Sequence, residues 1–261
     1  MTTVGSPWTW VLGCLVHFVT GNAILPLGAV DNLTESLIVH GAECRPHSQP
    51  WQVAIVRNAR ISCGGVLVHP QWVLSAAHCY RSSYTIKLGR HNLYAKREPG
   101  SRTMKATFSV KHPKFKKKPK CNDLMLIKLK KPVTESASIR TINIAPQCPA
   151  PGTTCVISGW GRLANNHLPR VLQCANVLVE TDESCKAFYP DAEHSSVFCA
   201  ANRNKGESAC KGDSGGPLVC GNFLQGIVSA GKLPCHPLEK PNLYTKVCKF
   251  SDWIQQTIQD N

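Results

Sequence analysis

Lys211-Gly212-Asp213-Ser214-Gly215-Gly216-Pro217 suits neither a helix nor a strand, because its glycines and proline favour a tight turn. Such a loop exposes one hydroxyl and lets the backbone N–H groups of Gly212 and Ser214 converge on one point. An oxyanion formed during acyl transfer could be held there. Taken alone, the string is most simply a glycine-rich turn. Two stretches upstream change its meaning: Ser75-Ala76-Ala77-His78-Cys79 and Asn122-Asp123-Leu124-Met125-Leu126. A serine hydroxyl is a weak nucleophile and needs a base to take its proton. Histidine is the side chain whose ordinary pKa lies near working pH. A carboxylate would hold the imidazole tautomer and stabilise the imidazolium. His78, Asp123 and Ser214 supply those three roles.

The bulk properties agree with a secreted protein. The chain has 261 residues, 43% apolar, enough for one large β-type unit or two small domains sharing a core. Only 18% of residues are charged, yet the formal net charge is +14. Fourteen cysteines without a Cys-x-x-Cys pair or a His-rich cluster favour disulfides in an oxidising compartment over a metal site. Residues 8–19 are mostly apolar and precede the small residues Thr20, Gly21 and Ala23, so 1–21 reads as a signal peptide. A membrane anchor is the alternative, but the run is too short to span a bilayer. Residues 22–37 read as a pro-segment, and Asn32-Leu33-Thr34 is the one glycosylation sequon. Residues 1–37 contain Asp31 and Glu35 but no Lys or Arg, so the remainder is more basic still.

Short β-rich runs alternate with turns over 51–56, 65–68, 72–74, 85–88, 107–110 and 124–129. A second set follows over 154–158, 175–179, 217–219, 224–228 and 243–246. Short strands, frequent breaks and no long helical periodicity predict an all-β barrel or sandwich. Ser251 is placed to cap a final helix whose Trp253, Ile254, Thr257 and Ile258 share one face.

With the three motifs in that order, the chain resembles the trypsin/chymotrypsin family, and more narrowly the kallikrein-related peptidases. The resemblance runs from Ile38-Val39-His40-Gly41 to the C-terminus, so 38–261 is the protease domain. It implies two six-stranded antiparallel β-barrels with the active site between them and a C-terminal helix. It implies peptide-bond hydrolysis through an acyl-enzyme, with no cofactor. It implies the pairs Cys44–Cys174, Cys63–Cys79, Cys148–Cys248, Cys155–Cys220, Cys185–Cys199 and Cys210–Cys235. Cys14 leaves with the signal peptide. Cys121 is left over, either as an inert thiol or as a reactive or intermolecular one. In this family, cleavage before the residue matching Ile38 frees an ammonium group that pairs with the residue matching Asp213. Activators usually need Lys or Arg at the position of Leu37, so this chain departs from the pattern there.

Specificity departs too. By resemblance Ser208 lies at the base of the primary pocket, where trypsin-like relatives place Asp, so a basic substrate residue finds no counter-ion. Glu207 is adjacent but is kept out of that position by its spacing from Cys210. Ala230 stands where relatives usually carry Trp, beside Gly231, and Asn242 replaces a Gly on the opposite wall. Together these predict a reshaped, shallower pocket of chymotrypsin-like or weak selectivity. Lys211 and Lys120 are expected to face substrate and favour acidic residues beside the cut, or else to be solvated with little effect. Lys111, Lys114, Lys116, Lys117, Lys118 and Lys120 form a basic cluster. It is either solvated surface or a patch for sulfated glycans and anionic surfaces. No nucleic-acid recognition module is present, so nucleic acid is not expected. Arg90 and Arg97 occupy the places of two calcium-binding glutamates, so no calcium is expected. The partners implied are protein or peptide substrates, an activating protease and serine protease inhibitors, with the chain a monomer. The alternative function is a catalytically weak or inactive protease-fold protein that binds anionic surfaces or glycans.

Overall fold

The computed structural model describes residues 41–118, 120–231, 235 and 240–261. The expected signal peptide, pro-segment, Asn32 and Ile38 lie outside those residues. The first eight strands are β1 (Ala42–Glu43), β2 (Gln52–Arg57), β3 (Arg60–His69), β4 (Trp72–Ser75), β5 (Tyr84–Leu88), β6 (Arg102–Ala106), β7 (Phe108–Lys111) and β8 (Met125–Lys128). The rest are β9 (Asn143–Ile144), β10 (Thr154–Gly159), β11 (Gln173–Val179), β12 (Val197–Ala201), β13 (Pro217–Cys220), β14 (Phe223–Ala230) and β15 (Asn242–Lys246).

Two sheets result. The first runs β6-β5-β2-β3-β4-β8-β7. Its edge strands β6 and β7 are separated by Thr107 alone, so one bent strand returns the sheet on itself. The second runs β11-β10-β13-β14-β15-β12 and closes through β11–β12 pairing, with β1 added beside β11. Closure removes the open edges that would otherwise pair with other chains.

β2 shows why a nearly continuous apolar run can be a strand. With side chains alternating between faces, Val53 and Ile55 enter the first barrel's core while Ala54 and Val56 pack on Trp160, Leu93 and Leu172. The second barrel fills with Ile157, Val177, Phe198, Leu218, Val228 and Tyr244. Val219, Leu224 and Ile227 instead join the first barrel's core, so apolar packing continues from one barrel into the other.

The disulfides are Cys44–Cys174, Cys63–Cys79, Cys148–Cys248, Cys155–Cys220, Cys185–Cys199 and Cys210–Cys235, the pairing the resemblance implies. Cys121 is free and buried. Burial withholds it from an external partner thiol, which favours the inert reading.

The sequence reading needs correction at the helices. The final helix α2 spans Ser251–Asp260, and Ser251 is its first residue rather than its cap. Phe250 occupies the cap position and no side chain caps the helix. Ile254 and Thr257 are buried as expected. The earlier helix α1 (Asp182–Phe188) was not expected, because seven residues are too few to reveal a helical period. Thr181 caps it, its side chain accepting from Ser184 N at 3.1 Å.

Candidate active site

His78 sits on a single 3-10 turn, Ala77–Cys79, at the end of β4. Asp123 is fully buried just before β8. β4 and β8 are paired neighbours, which carries the two residues together across the sequence. Asp123 Oδ2 lies 2.7 Å from His78 Nδ1, and Oδ1 accepts from the His78 backbone N–H at 2.9 Å. One carboxylate therefore fixes both the ring and the main chain of the base. Ser229 Oγ also donates to Asp123 Oδ2 at 2.6 Å, and Thr245 Oγ1 donates to the Asp123 carbonyl at 3.3 Å. Burial opposes ionisation of Asp123. Hydrogen bonds from His78 and Ser229, and the nearby charges, more than offset it and hold the carboxyl below its ordinary pKa.

Ser214 is tied to the same place through β3. Gly64 N–H donates to the Ser214 carbonyl at 2.8 Å. The neighbouring Cys63 is bonded to Cys79, whose sulfur lies 3.7 Å from that carbonyl oxygen. The disulfide thus ties the histidine turn to β3, and β3 holds the serine loop through the Gly64 N–H bond. Among the described residues, His78 makes no hydrogen bond with the Ser214 hydroxyl, as is common where such contacts tighten only with substrate.

The loop before Ser214 is shaped by Gly212, whose φ of +112° suits glycine alone, and an added Cβ would lie 2.9 Å from Gly161 Cα. Among the described residues neither Gly212 nor Ser214 donates its backbone N–H within the protein, so both remain available to an oxyanion. Asp213 turns away from them into the core. Its carboxylate accepts from Gly161 N at 2.7 Å and Cys210 N at 2.9 Å. Burial nevertheless pushes its pKa up to about 6.

Beside Ser214 lies a cavity of about 280 Å³ lined by Lys211, Ser229, Ala230, Gly231 and Asn242, among others. Here the pocket reading changes. Ser208 is buried, but it does not line this cavity. The Asn242 side chain accepts from Ala209 N at 3.0 Å and donates to Ala209 O at 3.1 Å, a two-bond clasp that imitates strand pairing. A Cβ on Gly231 would collide with Asn242 Nδ2, so this amide spans from one wall to the other. Glu207 is held by Asn202 Nδ2 at 2.7 Å, away from the cavity.

Lys211 is exposed at the cavity rim. Lys120 does not simply face substrate. Its ammonium turns inward, donating to Ser229 O at 2.9 Å and lying 3.7 Å from Asp123 Oδ2. A larger cavity of about 890 Å³ opens on the other side of Lys120 and Ala230. Its wall includes Phe188 and Tyr189, which the sequence did not flag, because α1 brings them there from a distant segment. Ser229 and Thr245 were missed as well: each reaches Asp123 only through tertiary contact, and no motif marks either one.

Among the described residues the one cluster of metal-type ligands is Cys63, His78 and Cys79. Both sulfurs are spent in a disulfide, which leaves no thiolate for a metal. In the loop after β5, Arg90 donates to Ala95 O at 2.9 Å and lies 4.0 Å from Glu98. A cationic side chain thus occupies this loop. No described helix is long and apolar enough to cross a membrane.

A family model described as Trypsin matches residues 38–254. Human kallikrein-4 is 50% identical over 259 residues, 99% of each chain. Human kallikrein-5 is 38% identical, with all of both chains covered. Among solved structures, a mouse brain serine protease, neuropsin, superposes with a TM-score of 0.80 at 39% identity, covering 85% of this chain and 100% of that one.

Proposed function

The chain belongs to the trypsin family of serine proteases, among the kallikrein-related peptidases, and from that premise we propose a secreted, zymogen-derived endopeptidase with non-tryptic selectivity. The observation that carries the reading is the fully buried Asp123 oriented on His78 beside the Ser214 loop. Ser214 Oγ attacks the substrate carbonyl and passes its proton to His78. The oxyanion is received by Gly212 and Ser214 N–H. The C–N bond then breaks, His78 returns the proton to the leaving amine, and water releases the acyl group by the same route.

Labelling of Ser214 by a fluorophosphonate, in protein cleaved before Ile38, tests this reading. Absence of labelling in folded, correctly cleaved protein would favour the second reading, a basic protease-fold binding protein. The Asn242 clasp, which narrows the pocket, is the observation on that side.

Activation should not follow the tryptic route. Leu37 offers no cation to a trypsin-like activator, so trypsin is expected to leave Ile38 uncut in the native chain and to release it in Leu37→Lys. N-terminal sequencing reads the result, and a clean Ile-Val-His-Gly start from native chain contradicts the expectation.

The freed ammonium of Ile38 is the partner that the raised pKa of Asp213 calls for. In the uncut chain the folded-state pKa of about 6 exceeds the ordinary 3.8, so the folded state binds the proton more tightly. Stability from this group is therefore complete below about pH 4 and lost as pH rises through about 6, by about 3 kcal/mol. Urea unfolding of uncut chain across that window, set against Asp213→Asn, should show the loss only in the native chain. After cleavage the loss should vanish. The same pH slope in both uncut proteins would refute the assignment.

A further inference from the structure

Lys120 lines both cavities and links them. On one side its ammonium donates to Ser229 O, within the cavity beside Ser214, and lies 3.7 Å from Asp123 Oδ2. On the other it borders the 890 Å³ cavity, whose wall also holds Lys117, Lys118 and Lys240 and, among the described residues, a single acid, Asp191. Lys240 Nζ lies 3.8 Å above the Tyr189 ring, so cationic and aromatic surface meet in one groove. Ala230 lies between the two cavities with only a methyl group.

The position of Lys120 bears on the chemistry. Asp123 Oδ2 serves His78 by stabilising the imidazolium that forms when Ser214 gives up its proton. His78 and Lys120 are the charged or titratable groups that contact this carboxylate among the described residues. A second cation beside the carboxylate cancels part of the negative potential on which the imidazolium depends and repels the imidazolium directly. The same ammonium occupies Ser229 O, a backbone acceptor beside the nucleophile. The lysine side chain is a quarter exposed, so its ammonium can leave without unfolding anything.

We propose that Lys120 is an electrostatic latch on the catalytic pair, opened when an acidic side chain of the peptide substrate settles among Lys117, Lys118 and Lys240. The inference rests on the endopeptidase reading. Acidic peptides then react faster once bound, and do not merely bind better. That separates a latch from an ordinary binding lysine, whose loss would slow acidic peptides and leave neutral ones unchanged.

The test uses full-length Leu37→Lys protein, activated by trypsin and freed of it, with Lys120 native or replaced by Met, Gln or Arg. Two peptides differ only in having two glutamates or two glutamines before the cleaved residue. In the native background kcat should be about tenfold higher for the glutamate peptide. In Lys120→Met and Lys120→Gln the two kcat values should converge, because kcat for the glutamine peptide rises about tenfold. The rate of fluorophosphonate labelling should rise by a similar factor, which reads the same catalytic step without any peptide. Lys120→Arg keeps the charge and should behave as native. Labelling that is unchanged or slower in the Met and Gln variants overturns the latch, as does a glutamate preference confined to KM. No labelling in the Lys120-native protein or in the variants overturns the endopeptidase reading itself, and the latch with it.

Discussion

Ser214→Ala is expected to lower kcat on the order of 10³-fold or more in the activated protein. Removing the hydroxyl leaves His78 with no proton to take and the scissile carbonyl with only water as nucleophile. What survives is binding and the two backbone donors, Gly212 and Ser214, which accelerate little by comparison. The substitution should leave the fold alone. Ser214 is held by its carbonyl, which accepts from Gly64 N at 2.8 Å, and that bond does not need the side chain. Unfolding curves that match the native protein, together with the loss in kcat, make the result interpretable. Turnover near the native rate would sink the assignment of Ser214 as nucleophile.

The second large effect concerns the pocket. Native protein is expected not to prefer Arg or Lys before the cut, since among the described residues no acid lines the cavity beside Ser214, although Lys120 and Lys211 do. Ser208→Asp alone should not install that preference. The Asn242 clasp on Ala209 stays in place, and a carboxylate at position 208 would be buried without a partner. A less stable protein with a small gain on arginine peptides is the expected outcome. Asn242→Gly removes the amide that spans the pocket and alone should chiefly help larger uncharged residues. Ser208→Asp with Asn242→Gly should raise kcat/KM on arginine peptides roughly a hundredfold over Ser208→Asp alone, equivalent to about 3 kcal/mol of recovered ion pairing. Profiling all four proteins on one mixed peptide library decides it. Dominant cleavage after Arg or Lys by native protein would mean that another carboxylate reaches the pocket. Equal behaviour of the double variant and Ser208→Asp would mean that Asn242 is no barrier.

Much of the architecture was legible in the residues. Alternating short apolar runs and frequent Gly and Pro breaks predicted an all-β chain, and most strands appear within a residue or two of those expected. The strand β12 (Val197–Ala201) was missed although all five of its residues are buried, and other missed elements carry weak local signals. β6 (Arg102–Ala106) is largely polar and exposed, and α1 is too short to show a period. Ser251 looked like a cap by residue type, but capping depends on where the chain turns into the helix, and that is set by the packing around Phe250.

For the site, the sequence by itself singled out the residues proposed to carry the chemistry. His78, Asp123 and Ser214 stand in distinctive short motifs, and glycine at 212 follows from a local backbone requirement that any reader of the chain can recognise. Tertiary structure alone decided how those residues are surrounded. Ser229 and Thr245 reach Asp123 from strands more than a hundred residues away. Asn242 clasps Ala209 instead of pointing into an open pocket, and Lys120 turns toward Asp123 instead of outward. The physical reason is common to all four. A local motif constrains backbone shape and residue type, whereas the direction of a polar side chain depends on which unmet donors, acceptors and charges the fold brings near it. Those neighbours exist only after the two sheets have folded and packed together.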